Sequence, residues 1–575
     1  MASSRGDHFS QQSLYYWDST FDSGQKLSDK YDEPFAKAFS EHDSASDFIS
    51  FFMRECDENE ACNYATRVVR GFCQDADLAG LQQNIRATTE PVALLDDGVG
   101  ATALDLYEAL LKPKKKNRKG KGAETTARQQ MIRTTDQDGG IKRVYIPNLT
   151  SWAVIALAAS APNYQAGILG EFIFNHLRFD HLIHANIQRE HIPSFALEFQ
   201  LPYFVLREHR LPQEDARRLR GYQDITFLRN MGDKLDNSPT RYIYDTKLSL
   251  LISGTGSHSW TGFLLDDRYF GTDDEPESIA EYLDQGSAGL MPDPFAAGKK
   301  PMGDLPCDPR EHFLIAFETY LSRVNKEMWH VFMALDEDIR SYEKNYWDQK
   351  ICRVSYNAND HQRNRLGTDK SRSQLRKDHQ EWMRRVVGIL RKHIGILNQY
   401  SDERKMFSDH GQNYFMPTDN VGRLNRLRKS LAAVDQQFTR LERLLNKYKH
   451  TLDCCEDISR VFNHRIALED NESALFQQKT ARDVKVLTWI TFLSLPITLA
   501  ASLLSTQAGY IPINPSPGAL LASIAVLEVV VWLVLGSLLG WDWFRKKMKI
   551  WLPYQFRSRK TGIQEAELQQ AEGLT

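Results

Sequence analysis

The sequence predicts an α+β cytosolic domain followed by a long α-helical stalk and two C-terminal transmembrane helices. Three observations predict this order. Two apolar segments, 486–504 and 518–540, lie close to the C-terminus. A stretch without glycine or proline, 423–495, leads into the first of them. Before that stretch, apolar helical patterns and runs rich in branched and aromatic residues both occur between 141 and 275.

Each apolar segment is about as long as a helix needs to cross a hydrocarbon core of ~30 Å at ~1.5 Å per residue. Neither contains Lys, Arg or Asp, and Glu528 is the only ionisable residue in either. The sequence therefore predicts two transmembrane helices that are joined by an extracytosolic loop, 505–517.

Positive charges flank both predicted spans but are absent from the loop between them. They are Lys479, Arg482 and Lys485 before the first span and Arg545, Lys546, Lys547 and Lys549 after the second. The positive-inside rule places both termini and the basic tail, 541–575, in the cytosol. The N-terminus lacks the apolar core of a signal peptide. The plasma membrane is the simplest location, although an internal membrane would leave the same charge pattern.

Composition and motifs argue against several classes of function. Lys and Arg number 72 and Asp and Glu 75, a net charge of −3, so the sequence does not indicate a nucleic-acid partner. The seven scattered cysteines show no metal-ligand spacing and indicate no disulfide framework. The phosphate-loop, zinc-protease and serine-hydrolase motifs are absent from the sequence, which predicts that the protein is not an enzyme and needs no cofactor.

The soluble part divides by composition. Residues 1–45 are polar and show no helical or strand periodicity, which predicts that they are disordered. Residues 46–140 form a partly helical extension with a basic loop at 112–122. Residues 141–275 form the α/β domain, and 276–306 form a linker rich in acidic residues, Pro and Gly. Patterns inside the α/β domain predict helices at 148–161 and 166–177 and strands at 194–207, 242–252 and 260–265.

A helical region at 307–422 precedes the predicted stalk helix at 423–485. Apolar residues recur in the stalk at helical spacing from Leu424 to Leu445. One long helix cannot bury such a stripe alone, so the pattern predicts a coiled coil that packs with copies of itself.

Hydroxyl side chains follow one face of the first apolar segment. At ~100° per residue, they share a narrow sector with two leucines. The residues of this sector are Leu487, Thr491, Leu495, Thr498, Ser502 and Ser505. Several copies around an axis would form a hydroxyl-lined pathway with leucine constrictions. Packing between helices is the alternative, because Ser and Thr are common at such contacts. Glu528 is costly inside a membrane and indicates either a functional group or a hydrogen-bonding partner for a neighbouring helix.

Residues 478–502 resemble the junction of stalk and pore in the CorA magnesium transporters. The matching pieces are Lys479-Thr480, Lys485-Val486-Leu487-Thr488 and Leu495-Pro496-Ile497-Thr498. The basic stretch from Lys546 and the order of the parts are similar too. The specific similarity covers 465–552, and the long N-terminal part looks like the extensions of divergent fungal CorA-like members.

The resemblance implies a homopentamer in a lipid bilayer that passes Mg²⁺ or another divalent metal cation. The first spans would line the pore with the hydroxyl sector, and Asp470 would form a carboxylate ring that binds metal on the cytosolic axis. The family is also regulated by Mg²⁺ between subunits. Carboxylates that could serve here are Asp266, Asp267, Asp273, Asp274 and Glu275.

One position departs from the family pattern. The Gly-Met-Asn signature that follows the first span is replaced here by Ser505, Thr506 and Gln507. The loop also lacks acidic residues. Two hypotheses therefore stand: a CorA-like divalent-cation channel, and a non-conducting CorA-like relative that serves as a membrane-anchored interaction or sensor protein.

Overall fold

The computed structural model has two compact units, Met1–Ser459 and Arg460–Thr575. The residues that it describes are 17, 20–23, 33–41, 47–56, 60–83, 90–96, 98–111, 140–188, 192–229, 240–271, 278–286, 291–356, 365–415, 421–505 and 516–533. The basic loop 112–122, residues 506–515 and the tail from 534 onward lie outside them.

The first unit is an α+β domain with long helices after it. Its early helices are α1 (Thr20–Ser23), α2 (Phe35–Glu41), α3 (Phe48–Phe52), α4 (Glu60–Phe72), α5 (Leu78–Gln83), α6 (Ala103–Leu111), α7 (Ser151–Ser160) and α8 (Asn163–Leu177). The later helices are α9 (Ile279–Gly286), α10 (Pro309–Tyr356), α11 (Arg365–Phe415) and α12 (Val421–Ser505), and α12 continues into the second unit. A further helix of the second unit, α13, covers 517–533.

Eight strands form one mixed sheet in the order β2-β1-β3-β8-β7-β5-β4, and β6 pairs with β7. The strands are β1 (Ala93–Leu95), β2 (Gly100–Ala101), β3 (Gly140–Pro147), β4 (Leu182–Gln188), β5 (Ser194–His209), β6 (Tyr222–Asp224), β7 (Thr240–Gly256) and β8 (Ser259–Asp266). Only the β3–β8 pairing is parallel among the described strands. The β5–β7 pairing runs from Phe195–Gly254 to His209–Thr240 and is the longest pairing among the described strands.

The two faces of the sheet bury different helices because side chains alternate along each strand. On β5, Leu197 and Phe199 join the core that contains Phe313 and Phe317 of α10. Ala196, on the other face, joins the core that contains the alanine-rich helix α7 and the buried side of α8. The domain is therefore a sheet between two helical layers.

Several boundaries differ from those the sequence predicts. Within 1–45, the range predicted to be disordered, α1 and α2 are helical, and Trp17, Phe21 and Phe35 are buried. The sheet begins at β1, before residue 141, and α9 lies within the predicted linker. These segments are stabilised by contacts with residues far away in the sequence. Such contacts cannot be inferred from local composition.

The helix α12 extends over both the predicted stalk and the first apolar segment. The absence of glycine and proline from 423–495 explains why no turn interrupts α12 over that range. Helix α13 covers part of the second apolar segment, and residues 534–540 lie outside the described residues. Among the residues that the structure describes, no helix is both long enough and apolar enough to span a bilayer.

Candidate functional site

The hydroxyl sector predicted from the sequence lies on one continuous helix. Leu487, Thr491, Leu495, Thr498 and Ser502 all belong to α12, where their spacing puts them on one face, and all five are exposed. Ser505 ends this helix. Thr506 and Gln507, the other two residues at the signature position, lie outside the described residues.

Two hydroxyl groups of this face are already hydrogen-bonded to the backbone. Thr491 Oγ1 donates to the carbonyl oxygen of Leu487 at 2.9 Å, and Thr498 Oγ1 donates to that of Ser494 at 2.7 Å. Each hydroxyl proton is thereby directed at the helix, which leaves the oxygen lone pairs as acceptors. Such oxygens can accept hydrogen bonds from the water shell of a cation.

Large apolar side chains on the same part of α12 are exposed. Leu487 is 65% exposed and Leu495 45%. Others that share this exposure are Val484, Val486, Trp489, Ile490, Ile497 and Leu499. A soluble monomer rarely exposes so long an apolar surface, which is typical of a surface covered by lipid or by other chains.

Helix α13 contacts this apolar part of α12 within the second unit. The ring centroids of Trp489 and Trp532 lie 6.0 Å apart, with an interplanar angle of 48°. Glu528 lies on the partly buried side of α13, together with Ile524 and Leu527. The carboxyl group therefore shares the side of α13 that is covered by protein.

Asp470 is exposed on α12, ~25 Å along the helix from Leu487 at ~1.5 Å per residue. In the described part of the chain, no cluster of three or more His, Cys, Asp or Glu side chains could hold a metal ion.

Asp266 and Asp267, two candidate regulatory carboxylates, are buried in ion pairs. Arg217 Nη1 and Arg220 Nε lie 2.8 and 2.7 Å from the carboxylate of Asp267. Burial by itself would raise the pKa of Asp267, but the attraction of the two guanidinium groups holds it well below its usual range. Asp266 lies 2.6 Å from Arg268 Nε. Both carboxylates are paired with arginine, which makes them poorly suited to bind a regulatory metal. Asp273, Asp274 and Glu275 lie outside the described residues.

A serine, a histidine and an aspartate are aligned in the interior between α8 and the sheet. His176 Nδ1 lies 2.8 Å from Ser249 Oγ, and His176 Nε2 lies 3.6 Å from Asp267 Oδ1. All three side chains are fully buried, and Ser249 Oγ donates to Gln200 Oε1. Because a substrate cannot reach the hydroxyl, this alignment joins the helix to the sheet and is not a catalytic triad.

Two of these features were missed by reasoning from the sequence. The contact between Trp489 and Trp532 could have been found, since the two residues lie equally far along the chain from Ser505 and Ser516. Nothing in the sequence pattern identifies Arg217 and Arg220 as partners of Asp267, because about fifty residues separate them along the chain.

No family model and no curated protein matches this sequence. Several solved structures are similar in part, among them the following two. The structure of the full-length CmaX protein aligns at 12% identity and a TM-score of 0.29, covering 69% of this chain and 88% of that one. The CorA magnesium transporter from Methanocaldococcus jannaschii aligns at 10% identity and a TM-score of 0.26, covering 68% of this chain and 89% of that one.

Proposed function

We propose that this chain is a CorA-like membrane channel for Mg²⁺ or another divalent metal cation. In this proposal five copies assemble around an axis, the apolar part of α12 lines the pore, and α13 lies outside it. Both termini face the cytosol. The cation is the transported substrate, and the chain needs no further cofactor.

The observation that carries the proposal is the combination of exposed leucines and exposed hydroxyl oxygens on one face of α12. Leu487 and Leu495 would form apolar constrictions, which can gate a pore by dewetting. Thr491, Thr498 and Ser502 would offer oxygens to a hydrated cation, and Mg²⁺ gives up its water reluctantly. Asp470 would concentrate cations at the cytosolic end.

A non-conducting, membrane-anchored interaction or sensor protein is the second candidate. It is favoured by the sequence Ser505, Thr506, Gln507 at the signature position and by the uncharged loop 505–517. In this case the hydroxyl face of α12 would serve for packing between copies.

Ion flux into liposomes separates the two functions. The purified protein is reconstituted around a Mg²⁺-sensitive dye, its number of copies is verified by native mass spectrometry, and a Mg²⁺ gradient is imposed. We expect Mg²⁺ entry that Thr498→Leu abolishes and Thr498→Ser retains. Ile497→Leu, a change outside the hydroxyl sector, is the matched control and should leave entry unchanged.

Two outcomes would count against a channel. Unchanged flux in a correctly assembled Thr498→Leu variant would exclude the proposed pathway. No entry of Mg²⁺, Zn²⁺, Co²⁺ or Ni²⁺ through a verified pentamer would favour the non-conducting protein.

A further inference from the structure

A short N-terminal segment is inserted into the core of the first unit. We call Trp17 together with α1 the N-terminal anchor. Phe21 in α1 is fully buried, and Trp17 is 5% exposed. The centroids of the two rings lie 5.0 Å apart. The two residues have Trp-x-x-x-Phe spacing in the sequence, and they pack as a pair against the domain.

The surface under the anchor is formed by three separate parts of the chain. Phe195 lies at the start of β5. The centroid of its ring is 5.0 Å from that of Trp17 and 5.4 Å from that of Phe21. The backbone N–H of Ser257, in the turn between β7 and β8, donates to the carbonyl oxygen of Phe21 at 2.8 Å. The guanidinium of Arg310 lies over the ring of Trp17 at 4.4 Å. This surface therefore recognises aromatic faces and one backbone carbonyl.

Arg310 is the unusual member of the set, because its side chain is completely buried. Nη2 of Arg310 lies 3.6 Å from Oδ2 of Asp308. A buried guanidinium is stabilised by the face of an indole, and such an interaction is strongest when water is excluded. Departure of Trp17 would expose the guanidinium together with the ring of Phe195.

The start of α10 contacts the first two turns of α12. Asp308 accepts the N–H groups of Arg310 and Glu311 at 3.0 and 3.1 Å, which fixes the start of α10. Arg423 Nη1 lies 3.2 Å from Asp308, and Arg426 Nη2 lies 3.0 Å from Glu311. The residues that bind the anchor are therefore adjacent to those that hold the start of α12.

We propose that Phe195, Ser257 and Arg310 form a binding site for an aromatic peptide with Trp-x-x-x-Phe spacing. Its occupant is the N-terminal anchor of this chain, and occupancy stabilises the first turn of α12. The ring contacts of Trp17 and Phe21 and the hydrogen bond from Ser257 belong to no strand pairing, so the anchor can dissociate without unfolding of the sheet. The site then accepts the same peptide when it is added in solution.

The test uses the full-length protein in detergent with the site vacated by Trp17→Ala and Phe21→Ala. A fluorescein-labelled peptide with the sequence of residues 14–25 is added, and its anisotropy is measured. We expect saturable binding to the double variant and at least about tenfold weaker binding to the wild-type protein, where the tethered anchor competes. A peptide with both aromatic residues replaced by alanine should also bind at least about tenfold more weakly.

Arg310→Gln, added to the double variant, is the control on the protein side and should weaken binding of the intact peptide. The proposal would be overturned if both peptides bound with equal affinity. It would also be overturned if the double variant bound no peptide while its circular dichroism matched that of the wild-type protein. Neither readout depends on ion transport.

Hydrogen exchange provides a second measurement that needs no variant. In the wild-type protein, the amide of Ser257 should exchange by local opening, faster than that of Leu251 within β7. In the double variant, amides at 421–426 should exchange faster, and the added peptide should slow them again. If the amide of Ser257 exchanges only through global unfolding, the anchor does not dissociate by itself. If the exchange rates at 421–426 do not change in the double variant, the anchor does not stabilise α12. Either result would contradict the proposal.

Discussion

The indole rings of Trp489 on α12 and Trp532 on α13 contact each other, with centroids 6.0 Å apart. Trp489 lies 16 residues before Ser505, the last residue of α12, and Trp532 lies 16 residues after Ser516, which directly precedes α13. A contact at matched distances is the arrangement of a helical hairpin. The two apolar segments therefore pair within one chain, ~24 Å from their connection at ~1.5 Å per residue.

The first prediction concerns this pair. Replacing either tryptophan with alanine should destabilise the hairpin. The double replacement should lower the free energy of unfolding by less than the sum of the two single replacements. We expect a coupling free energy of about 0.5–1.5 kcal/mol, as for other aromatic pairs. The measurement is a double-mutant cycle on unfolding in detergent. Ile490→Ala in place of Trp489→Ala should give no coupling to Trp532, and a coupling of equal size there would contradict a specific ring contact.

The second prediction concerns Asp470. In the proposed pentamer its carboxylates form a ring that attracts divalent cations, so Asp470→Ala should slow Mg²⁺ entry into liposomes at low concentration. Asp470→Glu should retain most of the flux, because it keeps the charge. Identical uptake curves for Asp470→Ala and the parent protein would remove Asp470 from the pathway.

The third prediction concerns the buried ion pairs of Asp267. Asp267→Asn removes the charge that neutralises Arg217 and Arg220, so we expect a loss of about 3–5 kcal/mol in the free energy of unfolding. Asp402→Ala removes one partner of the exposed pair with Lys405 and should cost about 1 kcal/mol or less. Urea denaturation monitored by tryptophan fluorescence measures both. Similar costs for the two variants would contradict the role assigned to Asp267.

The fourth prediction is a loss of stability in acid, caused by buried histidines. Burial lowers the pKa of His181, His312 and His393 to about 3 and that of His176 to about 4. The unfolded chain binds these protons from about pH 6.5 downward, whereas the folded chain does not, so stability is greatest above pH 6.5 and falls as the pH drops.

Glu198 acts in the opposite direction in part of this window. Burial raises its pKa to about 7, so its contribution to stability is lost as the pH rises from about 4.5 to 7. The four histidines outweigh this one carboxyl group, so the slope that these five groups contribute is positive. His393→Gln should reduce the slope between pH 4.5 and 6 by about 1.4 kcal/mol per pH unit, measured by urea denaturation at each pH. His330→Gln, at an exposed position, is the control, and equal slopes in the two variants would contradict the prediction.

The sequence by itself determined the local elements. Branched and aromatic runs predicted strands where β5, β7 and β8 lie, and apolar runs predicted helices at α7 and α8. The lack of glycine and proline predicted one long helix, and α12 is unbroken from Val421 to Ser505. Spacing also placed Thr491 and Thr498 on one helix face, because a helix repeats every few residues and its faces can be counted along the chain.

Only the tertiary structure decided which distant residues meet. It set β3 parallel to β8, joined Asp267 to Arg217 and Arg220, and buried Trp17 and Phe21 from a segment whose composition predicts disorder. The physical reason is that a carboxylate or an aromatic ring has the same local sequence signature whether solvent or a distant partner surrounds it. Burial, and with it the charge and accessibility of a site, is a property of the packed chain.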